Sequence, residues 1–209
     1  MKSIKLMVLL VVLVVVSCKK NDKADDIEYI EYSYSLYLSF QDASGNDLVK
    51  GIGFQPYGNY TEEESNGGNV KSDLYTLEVV FPYHWQSLSL HSWFSFVKGK
   101  ALKEAYPELK YGDYDCLSFQ VSGLAVQYPY GVIIRVPFAE KITFKLKCPY
   151  IFGDEAEHEL VTWWKKKNKE ERRPAALCYR IELGGREFTE INYSNDKYVS
   201  MATVVWESK

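Results

Sequence analysis

Between Lys141 and Cys148 the chain alternates without a break: Ile142, Phe144, Leu146 and Cys148 fall on one parity, and Lys141, Thr143, Lys145 and Lys147 on the other. Successive side chains of a strand point to opposite faces, so this segment reads as a half-buried strand with a ladder of lysines turned to solvent. The pattern returns over Ile30 to Phe40, where Ile30, Tyr32, Tyr34, Leu36, Leu38 and Phe40 share one face and Glu31, Ser33, Ser35 and Ser39 the other. Further strands are expected at Leu48 to Phe54, Leu74 to Phe81, Leu88 to Val97, Cys116 to Val126 and Tyr198 to Trp206. Leu177 to Leu183 and Arg186 to Ile191 flank Gly184-Gly185, a pair suited to the positive φ of a two-residue hairpin turn. Glu155 to Trp164 is ambiguous, since Glu, Ala and Leu favour a helix whereas Val161-Thr162-Trp163-Trp164 favours a strand. Lying among strands, it is read as one. Asp42 to Asp47 is turn chemistry, Gln55 to Asn69 reads as a long mobile loop, and Lys98 to Asp115 as a loop or short helix. About nine strands with little helix point to an all-β fold over residues 27–209, an antiparallel β-sandwich, immunoglobulin-like or related.

The amino-terminal stretch has a different character. Lys2 and Lys5 precede an unbroken apolar run, Leu6 to Val16, which suits the h-region of a signal peptide. A membrane-spanning helix needs roughly 20 apolar residues, so this run is too short for a permanent span. The small Ser17 followed by Cys18 resembles a bacterial lipobox, in which the cysteine thiol is acylated and the chain is cut just before it. That resemblance makes residues 1–17 a lipoprotein signal peptide and Cys18 the lipidation site; the alternative is a plain secreted protein in which Cys18 is incidental. Residues 18–26 hold the cysteine and a charged segment with no aromatic, which cannot bury apolar area and reads as a solvated tether. Within it, Lys23-Ala24-Asp25-Asp26 resembles the charged tags that route lipoproteins outward in the Bacteroidetes. The expected location is the outer membrane, with the globule facing either the periplasm or the cell surface.

Acidic residues outnumber basic ones, 28 to 25, which argues against a nucleic-acid partner because phosphate binding needs a basic face. An envelope location permits one disulfide with one thiol left over, but Cys116, Cys148 and Cys178 each lie in or beside an apolar strand pattern, and buried free cysteine behaves as a small hydrophobe. No C-x-x-C pair is present to suggest zinc or redox chemistry.

Three phrases taken together carry a wider likeness: Gly45-Asn46-Asp47-Leu48-Val49-Lys50-Gly51-Ile52, Asp73-Leu74-Tyr75-Thr76-Leu77-Glu78-Val79, and Cys148-Pro149-Tyr150-Ile151-Phe152-Gly153-Asp154 with His158 and Thr162-Trp163-Trp164 behind it. In combination they resemble a family of Bacteroidales envelope lipoproteins that carry a domain of unknown function. The resemblance implies a β-rich envelope lipoprotein and transfers no catalytic or ligand-binding residue.

The chemistry-bearing motifs are sparse. There is no G-x-S-x-G elbow, Walker loop or dinucleotide fingerprint, and His84, His91 and His158 match no zinc spacing. The expectation is therefore no enzyme, no metal and no cofactor. Asp113 and Asp115 could be imagined as a glycosidase pair, but acids in a Tyr/Gly-rich loop more often form turns, and Asp42-x-x-Gly45-x-Asp47 lacks the alternating ligands of a calcium loop. Sugar rings stack on aromatic side chains, which makes His84, Trp85, Trp163 and Trp164 the candidate ligand-binding residues, against the bland alternative of core packing. Trp163 and Trp164 are adjacent, so in a strand they face opposite sides and at most one sits wholly in the core. The basic run from Lys165 to Arg173 could contact an anionic polysaccharide or lipid head groups, or simply be a solvated hairpin tip. The expected partners are the membrane, through the lipid, and a surface glycan or an envelope protein; a structural subunit of a surface assembly is the alternative.

Overall fold

A computed structural model of the chain describes residues 32–82, 90–109, 113–123, 126–127, 133–134, 138–167, 175–194 and 199–207. The expectations placed on Cys18, the signal peptide, the tether, His84 and Trp85 lie outside these residues. In chain order the elements are β1 (Ser33–Gln41), β2 (Phe54–Pro56), β3 (Gly67–Val70), β4 (Thr76–Val80), β5 (Leu90–Val97), α1 (Gly99–Ala105), β6 (Cys116–Gly123), β7 (Val126–Gln127), β8 (Ile133–Ile134), β9 (Lys141–Lys147), α2 (Pro149–Phe152), β10 (His158–Lys166), β11 (Ala175–Leu183), β12 (Arg186–Phe188), β13 (Ile191–Ser194) and β14 (Val199–Val205). The fold is all-β with little helix, as the alternation implies.

Twelve strands form one sheet in the order β2-β3-β5-β6-β1-β11-β10-β9-β4, with β12 beside β11 and β14 carrying β13 beside β1; β7 and β8 pair separately. Phe119 on β6 and Phe144 on β9 are four strands apart along this path, about 19 Å if the sheet were flat. Their ring centroids lie 5.3 Å apart, so the sheet folds over and its two halves face one another across the core. Tyr75 against Phe94 at 4.5 Å and Phe40 against Phe152 at 6.0 Å close the same layer. The fold-over takes place at β1. One edge of β1 pairs with β6, antiparallel; the other edge is divided, with Ser33 and Tyr34 on β11 and Leu36 to Gln41 on β14, both parallel.

The sheet is thus mixed rather than purely antiparallel. Hairpin turns produce antiparallel neighbours and are visible in a sequence, whereas a parallel pair joins segments far apart in the chain and leaves no local mark. β1 also departs from the expected one-sided burial. Leu36, Leu38 and Phe40 enter the main core, yet Tyr37 and Ser39 on the opposite face are buried too. Tyr37 belongs to a second small core with Leu102, Leu109, Cys116, Val199 and Met201, because α1 and the turn after it cover the outer face there. Ser39 is satisfied by the Thr203 hydroxyl at 2.8 Å.

Two further expectations change. Leu48 to Phe54 is not a strand: the Asp47 carboxylate accepts the Val49 and Lys50 amides at 2.8 and 3.1 Å, Gly51 has φ 85°, and only Phe54 to Pro56 pairs. Gln55 to Asn69 is not a loop throughout, since β2 and β3 pair at its two ends. Its tip is pinned where Glu64 accepts the Thr61 amide and hydroxyl, and where Lys98 Nζ donates to the Glu62 and Glu63 carbonyls. Glu155 to Trp164 resolves into strand β10, and Gly184-Gly185 forms the expected turn with φ 60° and 82°. The pleat of β9 is as expected, with Ile142, Phe144 and Leu146 buried and the lysine parity outward.

Candidate functional site

The pair Trp163-Trp164 divides as a strand demands. Trp164 is 2 % exposed, its indole N–H donates to Thr162 Oγ1 at 2.7 Å, and its ring meets Tyr34 edge-on at 5.2 Å. A side chain so enclosed offers no face to a ligand, which removes Trp164 from the candidate sugar platforms. Trp163 lies on the outer face. A β-bulge between the two tryptophans leaves Tyr179 unpaired opposite them, so Tyr179 and Arg180 both turn outward. The Arg180 guanidinium stands 4.3 Å from the Trp163 ring centroid and Lys141 Nζ 5.4 Å, so two cations already occupy the π surface. Arg180 is held there by Glu187 at 2.8 Å.

The carboxylate candidates are engaged elsewhere. Asp113 pairs with Lys103 at 2.7 Å, while Asp115 accepts the Gly99 amide and its own amide donates to Asp47. Burial raises the Asp115 carboxyl above the ordinary range, which suits a joint between loops. Asp42 accepts the Ser44 and Asn46 amides and the Asn46 side chain, and that side-chain bond leads in holding its carboxyl below the usual range. This is a hairpin turn closing on itself. Cys116, Cys148 and Cys178 are all buried and free, settling the choice between disulfide and small hydrophobe. Burial pushes the Cys178 thiol up to about 12 and Cys116 well above its normal value. Among the described residues no three His, Cys, Asp or Glu side chains gather as metal ligands, and no helix is long and apolar enough to cross a membrane.

What the strands do assemble is a cleft of about 530 Å³ where β10 begins and β11 and β14 end. Its aromatic floor comes from Trp206, with His158 packed edge-on at 4.8 Å, and Phe152 behind both. The Trp206 amide donates to the Gln41 carbonyl at 2.7 Å and its indole N–H to the Phe152 carbonyl at 3.1 Å, so backbone and ring are both fixed. Phe188 adds a second ring, beneath the Arg186 guanidinium at 5.6 Å. Polar groups stand around these rings. His158 Nε2 lies 2.8 Å from Asp154 Oδ1, and that hydrogen bond is the main reason the Asp154 carboxyl stays below its usual range. Arg186 and Glu207 approach at 3.6 Å with more than half of each side chain exposed. So loose a pair contributes little and leaves both groups free to engage a ligand.

Aromatic faces bordered by carboxylate acceptors, a guanidinium and an imidazole match the two surfaces of a sugar ring, its apolar C–H face and its hydroxyl rim. None of the cleft's aromatic or charged residues was among the candidates drawn from sequence. Arg186 could be placed beside the Gly-Gly turn, and Asp154 and His158 share a spacing of four, but nothing local brings Trp206 to them. Trp163 does not reach this cleft. Comparison with protein-family models, curated proteins and solved structures finds no match to this chain.

Proposed function

We propose that this chain is a lipid-anchored protein of the cell envelope, of the Bacteroidales outer-membrane type, that binds a surface glycan without turning it over. The observation that carries the binding reading is the cleft: Trp206 offers its ring, Phe188 lies beside it under Arg186, and Asp154, His158, Arg186 and Glu207 offer hydroxyl partners around them. The anchoring half of the reading rests on Ser17-Cys18 and the apolar run before it. More than one acyl chain holds a protein stably, each buried methylene contributing about 0.8 kcal/mol.

The test is retention on a panel of immobilised polysaccharides, repeated with Trp206→Ala and Arg186→Ala. Trp206 is also packed against Phe152, so its loss could disturb the fold; Arg186 is exposed and serves as the second variant. Retention that falls at least tenfold in both variants, with unchanged circular dichroism, supports the reading. Retention indifferent to both variants, or turnover of the polysaccharide, overturns it. A second reading, a subunit of a surface assembly, draws on one observation: among the described residues β4 pairs only with β9, leaving its other edge open for strand addition. A concentration-dependent oligomer with no glycan retention is the outcome that selects it.

A further inference from the structure

The strand directions give the molecule two unlike ends. β1, β11 and β14 run parallel, and β10 runs against β11. The start of β1, the start of β11 and the end of β10 therefore lie at one end, with Tyr34 and Lys166 both in register with Ala176. The cleft lies at the other, built from His158 at the start of β10, Leu183 at the end of β11 and Val205-Trp206 at the end of β14. β10 spans nine residues, so the two ends are about 30 Å apart.

The chain enters the sandwich at the end remote from the cleft, and that end is cationic and aromatic. Lys165 and Lys166 are both exposed there. Lys165 Nζ stands 5.6 Å from the Tyr193 ring centroid, and Lys166 Nζ 5.3 and 5.1 Å from those of Tyr32 and Phe138. Among the described residues the exposed Glu140 lies at this end, its carbonyl accepting the Trp164 amide. The cleft end differs in that acids and bases are interleaved there, with Glu62 on Lys71, Glu155 on Lys147 and Glu207 on Arg186. Lysines over tyrosine rings have the composition of a surface that meets lipid head groups, where aromatic rings settle and each lysine adds attraction to an anionic leaflet.

We infer that the end bearing Lys165, Lys166, Tyr32 and Tyr193 rests on the anionic lipid surface to which Cys18 is attached, so that the cleft opens away from the bilayer. The inference rests on the proposed lipid anchor and adds to it an orientation. Cys18 to Tyr32 reaches at most about 50 Å when extended, long enough for the globule to tumble if nothing else held it. The tether alone sets a distance, and the charge asymmetry sets which end is down. A cleft held outward meets a polymer arriving from outside the membrane, not the head groups beneath it.

The experiment uses the acylated full-length protein, purified from membranes and reconstituted into vesicles that contain a nitroxide head-group lipid and either neutral or about one-third anionic lipid. A fluorophore is attached at Glu140→Cys in one sample and at Glu157→Cys in another, the three native cysteines of the sandwich being buried. On anionic vesicles the label at position 140 is expected to be quenched at least about threefold more than that at 157. Lys165→Glu/Lys166→Glu should bring the ratio to near one while the protein still floats with the vesicles, since each lysine near such a surface shifts the population about fivefold. Equal quenching at the two positions, or a ratio unmoved by the charge reversal, in protein that does float overturns the orientation and leaves the anchor standing. Protein that fails to float overturns the anchor and the orientation together.

Discussion

Replacing each of the two neighbouring tryptophans by alanine should have sharply unequal costs, and the inequality can be worked out from their surroundings. Trp164 is enclosed by Tyr34 and the core, and its N–H is spent on Thr162, whose hydroxyl in turn donates to the Ile142 carbonyl. Removing a fully packed aromatic leaves a large cavity, and such changes cost about 3–5 kcal/mol. Trp163 lies on the outer face under Arg180 and Lys141, so its loss gives up two partly solvated cation–π contacts of about 0.5–1 kcal/mol each and little packing. With a urea m-value of about 2 kcal/mol/M, Trp164→Ala should lower the unfolding midpoint by about 2 M and Trp163→Ala by less than about 1 M. A domain at the lower end of the usual range of about 5–15 kcal/mol would survive the first change only narrowly, so Trp164→Phe, which keeps most of the volume and loses the N–H donor, belongs in the series and should cost about 1–3 kcal/mol. The assay is equilibrium urea unfolding followed by far-ultraviolet circular dichroism, because other tryptophans would confuse fluorescence. Equal midpoints for the two alanine variants would refute the facing assigned to β10 and, with it, the bulge opposite Tyr179.

Acid should open the cleft. Because the His158 bond depresses the Asp154 carboxyl, the ordering it provides is complete above the ordinary carboxylate range and is lost as pH falls through the lowered value. The His158 ring resonances in an NMR titration should thus report the Asp154 carboxyl by a step below about pH 4 that is missing in Asp154→Asn; a step that persists in the variant contradicts the pairing. The three sandwich thiols should be inert. Burial holds all of them above their ordinary values, so alkylation at pH 8 followed by mass mapping should modify Cys116, Cys148 and Cys178 only after denaturation, and rapid native labelling of any one would contradict its placement.

The strands that could be read in advance are those whose side chains alternate, such as β1 and β9, together with the hairpin at Gly184-Gly185 and the opposed facing of Trp163 and Trp164. All of these are properties of a pleat or a tight turn, which a few consecutive residues dictate wherever they lie. Which tryptophan faced inward was not among them, since parity distinguishes two faces without saying which one meets the core. The burial of Tyr37 depended on α1 lying across a strand distant from it in sequence, and Ser39 found its partner in Thr203 on β14. The parallel seating of β1 between β6 on one side and β11 and β14 on the other depended on complementary surfaces meeting across most of the chain. The cleft follows from that seating, because only a sheet folded over at β1 brings Trp206 beside His158 and Arg186 beside Glu207. Local stereochemistry thus marked the strongly alternating strands and the tight turn, and the burial of apolar faces between distant segments settled how they were joined and where a ligand could sit.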